Sequence, residues 1–162
     1  MNGYRRAHAI PLLLALLASP TTWATATCTV TVPSLSFGVY DTVNTLDVST
    51  TITVSCTHSG SGSETVSYTL ALSSGSGSYT ARTLASGGNS LTYNAYTGSN
   101  YQTVWGDGTA GTGTVAGTLA TINNGHPTQT GTATVYGQIV GGQDVAPGSY
   151  ATTTPITVTM TF

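Results

Sequence analysis

The stretch PITVTMTF, residues 155–162, alternates apolar side chains with threonines along its whole length. Successive side chains of an extended strand point to opposite faces, so the apolar ones share one face. They are Ile156, Val158, Met160 and Phe162. The stretch therefore predicts a strand with one buried face. The sequence ends at Phe162, and we expect that face to be covered by something other than a following strand.

The same alternation recurs upstream in CTVTV (28–32), TTITVSC (50–56) and TVSYTLAL (65–72). Glycine- and serine-rich turns separate these runs, and no stretch keeps a helical period of 3.6 residues. We predict strands at about 28–32, 35–40, 48–56, 65–73, 90–96, 101–105, 113–120, 131–140 and 152–162. Short alternating strands of this number are typical of an all-β sandwich.

The first residues have the features of a secretory leader. Two arginines precede an apolar run at residues 9–18, which is too short to span a bilayer, and small residues follow at 24–26. We predict a signal peptide over residues 1–26 and one domain over residues 27–162. The protein is then exported into an oxidising compartment, and it is not an integral membrane protein.

The predicted mature chain is almost uncharged. It has no lysine, and Arg82 stands alone against five carboxylates, which is a formal net charge of −4. Nucleic acids are excluded as partners, because binding to phosphates requires several cations. In such a chain we expect Arg82 to have a structural role, either with a carboxylate partner or on backbone carbonyls, in preference to a role in ligand binding.

Cys28 and Cys56 are the only cysteines. In an oxidising compartment they predict a disulfide, because a metal site would need further ligands that do not cluster in this sequence. An acylated Cys28 in a lipoprotein is an alternative. The threonines at positions 25 and 27 fit it poorly, since that motif requires an aliphatic and a small residue there.

No catalytic, metal or cofactor site is predicted. GDGTAG at 106–111 matches a dinucleotide-binding spacing, but a strand-like segment follows it where a helix is required, so we interpret it as a turn. His58 and His126 lie in turn-like contexts, which leaves a secreted hydrolase as the weakest alternative. The aromatic residues that are candidates for facing a ligand are Tyr93, Tyr96, Tyr101 and Trp105, although packing in the core explains them more simply.

Several stretches together resemble the spore coat protein U domain, the subunit family of archaic, Csu-type chaperone-usher pili. They are CTVTVPSLSFGVYD, TTITVSC, YTLALSSGSGSYTARTL, LTYNAYTGSNYQTVWGDG, TATVYGQI and PGSYATTTPITVTMTF, in this order. One departure is ATTTP at 151–155, where related domains tend to have an Asp. The resemblance covers nearly the whole predicted mature chain.

The resemblance implies an immunoglobulin-like sandwich that lacks its last strand and is completed by a donor strand. The donor comes first from a periplasmic chaperone and, after passage through an outer-membrane usher, from a neighbouring pilus subunit. The residues that match the groove walls are Val30, Val32, Ile156, Val158, Met160 and Phe162.

The predicted cleavage leaves only Thr27 before Cys28, whereas polymerising subunits of this family carry a donor segment there. We therefore expect a subunit that accepts a strand without donating one, at the tip or cap of a fibre or in a separate coat. The leading interpretation is a non-enzymatic structural subunit for adhesion and biofilm. The alternative is a secreted carbohydrate-binding, lectin-like module.

Overall fold

The computed structural model describes residues 25–162, and this part of the chain consists of β-strands and loops without a helix. The strands are β1 (Thr25–Thr31), β2 (Leu46–Ser59), β3 (Ser63–Glu64), β4 (Ser67–Leu72), β5 (Arg82–Ser86), β6 (Asn89–Tyr96), β7 (Val115–Thr118), β8 (Ile122–Asn123), β9 (Thr128–Ile139) and β10 (Val158–Thr161). Most of the predicted leader lies outside the described residues. Its last two residues, Thr25 and Ala26, begin β1.

Two antiparallel sheets form the body of the domain. One has the strand order β1-β2-β9-β6-β5 and the other β10-β4-β7, while β3 and β8 form a small separate pair. The long β2–β9 ladder runs from the Leu46–Ile139 pair to the Thr57–Thr128 pair. The fold is an immunoglobulin-like sandwich, as the alternating sequence pattern and the family resemblance indicate.

The core lies between the two sheets and follows the alternation of the strands. On β2 the apolar side chains of Ile52 and Val54 are 0% and 1% exposed, while their threonine neighbours face outward. Leu70 on β4 and Val135 on β9 are buried equally well. Apolar area removed from water on this scale is the main source of stability for a domain with few charges.

The predicted disulfide is confirmed. Cys28 on β1 lies directly opposite Cys56 on β2, and their Cα atoms are 4.0 Å apart. Both side chains point toward the core, so the bond attaches the edge of the five-stranded sheet to its interior.

Two predicted strands were wrong. Residues 35–40 form a loop in which Leu35 and Phe37 pack inward, and residues 101–105 form a turn that joins the sheets only through isolated bridges. An alternating apolar pattern indicates which side chains are buried, but a β-strand also requires a neighbouring strand with which its backbone can pair. The strand β5 was missed, because its residues RTLAS show no apolar alternation.

The predicted last strand is shorter than expected. Residues 152–157 lead into β10 as an irregular segment, and the regular ladder with β4 begins at Val158. Residues 25–162 contain no helix with the length and hydropathy that crossing a membrane requires.

Candidate binding groove between two edge strands

Within residues 25–162, β1 and β10 are edge strands. β1 pairs with β2 and β10 pairs with β4, and each lies at the end of its sheet. An edge strand presents unpaired backbone N–H and C=O groups to one side, which is a template for an added strand. The two edges flank the same side of the sandwich.

A groove of about 1250 Å³ opens on this side. The chain following β1 forms one rim, and the segment leading into β10 forms the other. The floor is apolar and belongs to the core, with Leu72, Leu91, Trp105, Val135 and Ile139. These floor side chains are at most 5% exposed, so the apolar area left to water belongs to the walls, where Val32 is 38% exposed and Val158 is half-buried.

The backbone of β10 is oriented to receive a strand. Ser73 N donates to Thr157 O over 3.0 Å, so Thr157 directs its polar backbone groups toward β4. Because these directions alternate along an antiparallel strand, the N–H and C=O groups of Val158 and Met160 point to the open side. The side chains of both residues pack against the core.

The structure brings together four of the six residues predicted to form the groove walls. Val30 and Val32 line one side, and Ile156 and Val158 line the other. The remaining two residues, Met160 and Phe162, do not line the groove. Met160 packs against the core beyond the groove, whereas Phe162 is 56% exposed.

Other lining residues were missed because they lie outside regular strands. Phe37 packs edge-on against Tyr93, with ring centroids 5.6 Å apart. Its ring also covers Gly137 on β9, where an added Cβ would lie 2.8 Å from the Phe37 ring. Tyr40, Val145 and Tyr150 complete this end of the groove. The apolar alternation at 35–40 could have identified these residues. We interpreted it as a β-strand, but it reflects side chains of a loop that pack against the core.

Two of the four candidate aromatic residues are internal. Trp105 is 1% exposed and its Nε1 donates to Leu70 O over 3.0 Å, while Tyr93 is 5% exposed. Both contribute to the groove floor, so neither forms part of an exposed platform.

The other two lie at the surface in a tyrosine cluster of Tyr96, Tyr101 and Tyr136. The Tyr101 ring meets those of Tyr96 and Tyr136 edge-on, at centroid distances of 5.4 and 6.2 Å. Tyr101 has a φ of 53°, a left-handed conformation that costs a bulky residue free energy. Partial burial raises the pKa of Tyr101, and the nearby carboxylate of Asp47 raises it further.

Arg82 is completely buried and holds backbone carbonyls. Its guanidinium donates to Ser73 O and to Trp105 O, and also to Asn94 Oδ1. Burial lowers the pKa of Arg82, and the surrounding tyrosines oppose that shift. We expected Arg82 either to have a carboxylate partner or to bind backbone carbonyls, and the structure shows that it binds backbone carbonyls.

The titratable side chains form no catalytic arrangement in the described part of the chain. His58 is buried and neither of its ring nitrogens has a hydrogen-bond partner. His126 lies in a turn in which its backbone N–H donates to Asn123 Oδ1. No group of three or more His, Cys, Asp or Glu side chains in residues 25–162 is placed to hold a metal ion.

Comparison with known proteins yields a family and a fold. The sequence model of the Spore Coat Protein U domain matches residues 13–159. A similar solved structure is the CsuC–CsuE chaperone–tip adhesion subunit pre-assembly complex from the archaic chaperone-usher Csu pili of Acinetobacter baumannii. The TM-score is 0.53 at 18% identity, and the match covers 85% of this chain and 40% of the other. No curated protein matches the sequence.

Proposed function

The chain belongs to the Spore Coat Protein U domain family, and from that membership we propose that it is a structural subunit of a surface pilus or coat. It is exported to the periplasm and assembled at the cell surface by donor-strand complementation through the chaperone-usher pathway. Its partners are a periplasmic chaperone, an outer-membrane usher and neighbouring subunits. Adhesion and biofilm formation are the roles of the assembled structure.

The observation that carries this proposal is the open groove between the edge strands β1 and β10. An extended peptide placed there hydrogen-bonds to the free backbone edge of β10, and its alternate side chains fill the apolar floor. Such an addition covers the partly exposed wall residues Val30, Val32 and Val158 and completes the sandwich. The groove suits an added strand, because its base is apolar and the backbone of the edge strand beside it is unpaired.

We also propose that the subunit occupies a terminal position, at the tip or as a cap. The predicted cleavage after Ala26 supports this, because it leaves only Thr27 before Cys28, and Thr27 pairs with Thr57 in the subunit's own sheet. A residue held in that ladder is not available to a neighbour. N-terminal sequencing of periplasmic protein tests the proposal. A start at Thr27 is expected, and a start upstream near Ser19, which would leave a segment before Cys28, would contradict it.

A charge in the groove tests donor-strand acceptance. Val158→Asp places a carboxylate where an incoming strand would bury it without a partner, so we expect capture by the chaperone to be abolished. Thr159→Asp is the matched control, because it adds the same charge to the exposed face of the same strand. The readouts are periplasmic yield and co-purification of the chaperone. Normal values for Val158→Asp would contradict the proposal.

A carbohydrate-binding module is the second candidate, and the tyrosine cluster favours it. Tyr101 is held in an unfavourable conformation beside two other rings, and Gln138 Nε2 donates to Asp47 Oδ1 over 2.9 Å at the same surface. Rings beside a carboxylate and an amide suit a neutral sugar. Binding on a glycan array that Tyr101→Ala removes, with melting temperature unchanged, would support this function. An array without binding would exclude it.

We propose that the chain is not an enzyme. His58 lies in a buried site and His126 in a turn, so neither is part of a nucleophile–base pair. Hydrolytic activity that depended on His58 or His126 would contradict this.

A further inference from the structure

Arg82 is the one cation in residues 25–162, and it is 0% exposed. Its contacts are neutral, which is an expensive arrangement for a charge unless its hydrogen bonds organise something. Nη2 donates to Ser73 O over 3.0 Å and to Trp105 O over 2.8 Å, while Nη1 donates to Asn94 Oδ1. The side chain also lies over the ring of Tyr79, with Cζ 5.3 Å from the centroid.

These bonds clamp a loop, residues 73–79, at both ends. Ser73 O at the start of the loop is bound directly by the guanidinium. Tyr79 O at its end accepts from Asn94 Nδ2 over 2.8 Å, and the Oδ1 of that same amide is held by Arg82. One buried side chain and its amide partner therefore hold the two ends of the loop, and a backbone bond from Thr83 N to Ser76 O over 3.0 Å holds its middle.

The clamped loop in turn holds the segment of residues 153–157, which leads into β10 and is called the wall segment below. Ser76 Oγ accepts from the backbone N–H of Thr153 over 3.0 Å and of Thr154 over 2.8 Å. Ser73 Oγ accepts from Thr157 N over 2.9 Å. Serine hydroxyls thus replace the backbone partners that a regular strand would supply.

Side-chain packing adds to this attachment. Gly75 has a φ of 63°, and a Cβ on it would lie 2.6 Å from Ile156 Cγ1. The loop backbone therefore approaches Ile156 as closely as only glycine permits. Ile156 is one of the residues that line the groove.

We propose that Arg82 is a positioning residue for donor-strand acceptance, which it controls by fixing the wall segment through the 73–79 loop. This inference rests on the function proposed above. The guanidinium also binds Trp105 O, so one side chain sets both the rim and the floor of the groove. When the rim of the groove is already held in place, less conformational entropy is lost on adding a strand, so the strand binds more tightly.

The chemistry of arginine is required for this role. Three acceptors from three segments surround the guanidinium, which presents five N–H donors in a fixed plane. A lysine keeps the charge but offers a single nitrogen, which does not span three separate acceptors. Arg82→Lys is therefore expected to release part of the loop while leaving the strands of the sandwich in place.

Amide hydrogen exchange measures the positioning directly. Arg82→Lys, and Ser76→Ala as a milder change, are expected to raise exchange about tenfold or more at Thr153 and Thr154, which lose their acceptor or its support. Amides of Ile52 and Val54 on β2 report global unfolding and should change little. Ser67→Ala is the matched control, because it removes a serine hydroxyl bond to Thr118 on the far side of the same sheet.

Titration with a synthetic peptide measures the consequence for binding. The probe is a twelve-residue peptide of alternating valine and threonine with terminal lysines for solubility. Both variants are expected to bind it about tenfold more weakly than the wild type, and Ser67→Ala is expected to bind it normally.

The outcomes separate the two proposals. Unchanged exchange at Thr153 and Thr154 in Arg82→Lys, whatever Ser76→Ala does, or raised exchange in Arg82→Lys with unchanged peptide affinity, would overturn the role of Arg82. A wild-type protein that binds no peptide would contradict donor-strand acceptance itself and with it any control by Arg82. In that case the exchange data would still decide whether Arg82 positions the wall segment.

Discussion

The β2–β9 ladder and the two edge strands all carry threonines at alternate positions, but the side chains between those threonines are buried to different degrees. On β2 and β9, Ile52 and Val135 are 0% and 1% exposed. Val30 on β1 and Val158 on β10 are only half-buried and face the groove. The difference lies in the neighbours, because β2 and β9 each have a strand on both sides and the edge strands have one.

This comparison separates the domain into a closed side, which is complete in a single chain, and an open side, which a further strand would complete. On the closed side the alternation is matched by partners in both sheets. On the open side equally apolar residues remain in contact with solvent, and their burial is available as a driving force for assembly. The predictions below change one side and measure whether the other responds.

The largest effect is expected from the disulfide, which joins the open-side strand β1 to the closed side. Cys28→Ala combined with Cys56→Ala should lower the free energy of unfolding by about 3.5 kcal/mol, because the bond closes a loop of 28 residues. Urea denaturation of the purified protein measures this. A loss below about 1 kcal/mol would mean that β1 contributes little to the closed side.

A pair of core truncations sharpens the contrast. Ile52→Ala on the closed side should lower the unfolding free energy by about 3 kcal/mol, whether or not the groove is filled. Val158→Ala on the open side should cost less in the free subunit, since Val158 is only half-buried there, and more when a donor peptide covers it. Equal costs for Val158→Ala with and without peptide would argue that the open side is already complete.

The smallest effect concerns a loop at the rim of the groove. Asp41 accepts from the Asn44 side chain and from the backbone N–H groups of Asn44 and Val43, and these bonds hold the pKa of Asp41 below its ordinary value. A carboxyl whose pKa is lowered on folding stabilises the folded loop above the unfolded pKa, about 3.9, and this contribution is lost as the pH falls through the folded pKa.

Amide exchange at Val43 and Asn44, compared at pH 5 and at progressively lower pH, measures this local effect after correction for intrinsic rates. Protection should fall at low pH in the wild type, while the amides of β2 remain protected. Asp41→Asn keeps an acceptor without a titrating group, so its protection at these two amides should not depend on pH. A matching pH dependence in Asp41→Asn would assign the effect to another group.

Much of the closed side could be predicted from the sequence. The runs at 50–56 and 65–72 alternate cleanly, and the structure places both in strands because two-residue periodicity is a local property. The disulfide followed from the presence of only two cysteines in an exported chain. The lining of the groove was harder to predict from the sequence. Leu35 and Phe37 line it without belonging to a strand, whereas Phe162 continues the alternating pattern and is nevertheless exposed.

The sequence alone determined the strand-rich composition, the faces of the alternating runs and the identity of the disulfide partners, because each depends on residue type and local spacing. Tertiary structure decided which strands lie at the edges, that Trp105 and Tyr93 turn inward, and that the isolated Arg82 binds two backbone carbonyls and the side-chain amide of Asn94. Those outcomes depend on contacts between residues far apart in the chain. Local periodicity predicts the face of a strand on which a side chain lies, whereas the tertiary structure determines which residues that side chain contacts.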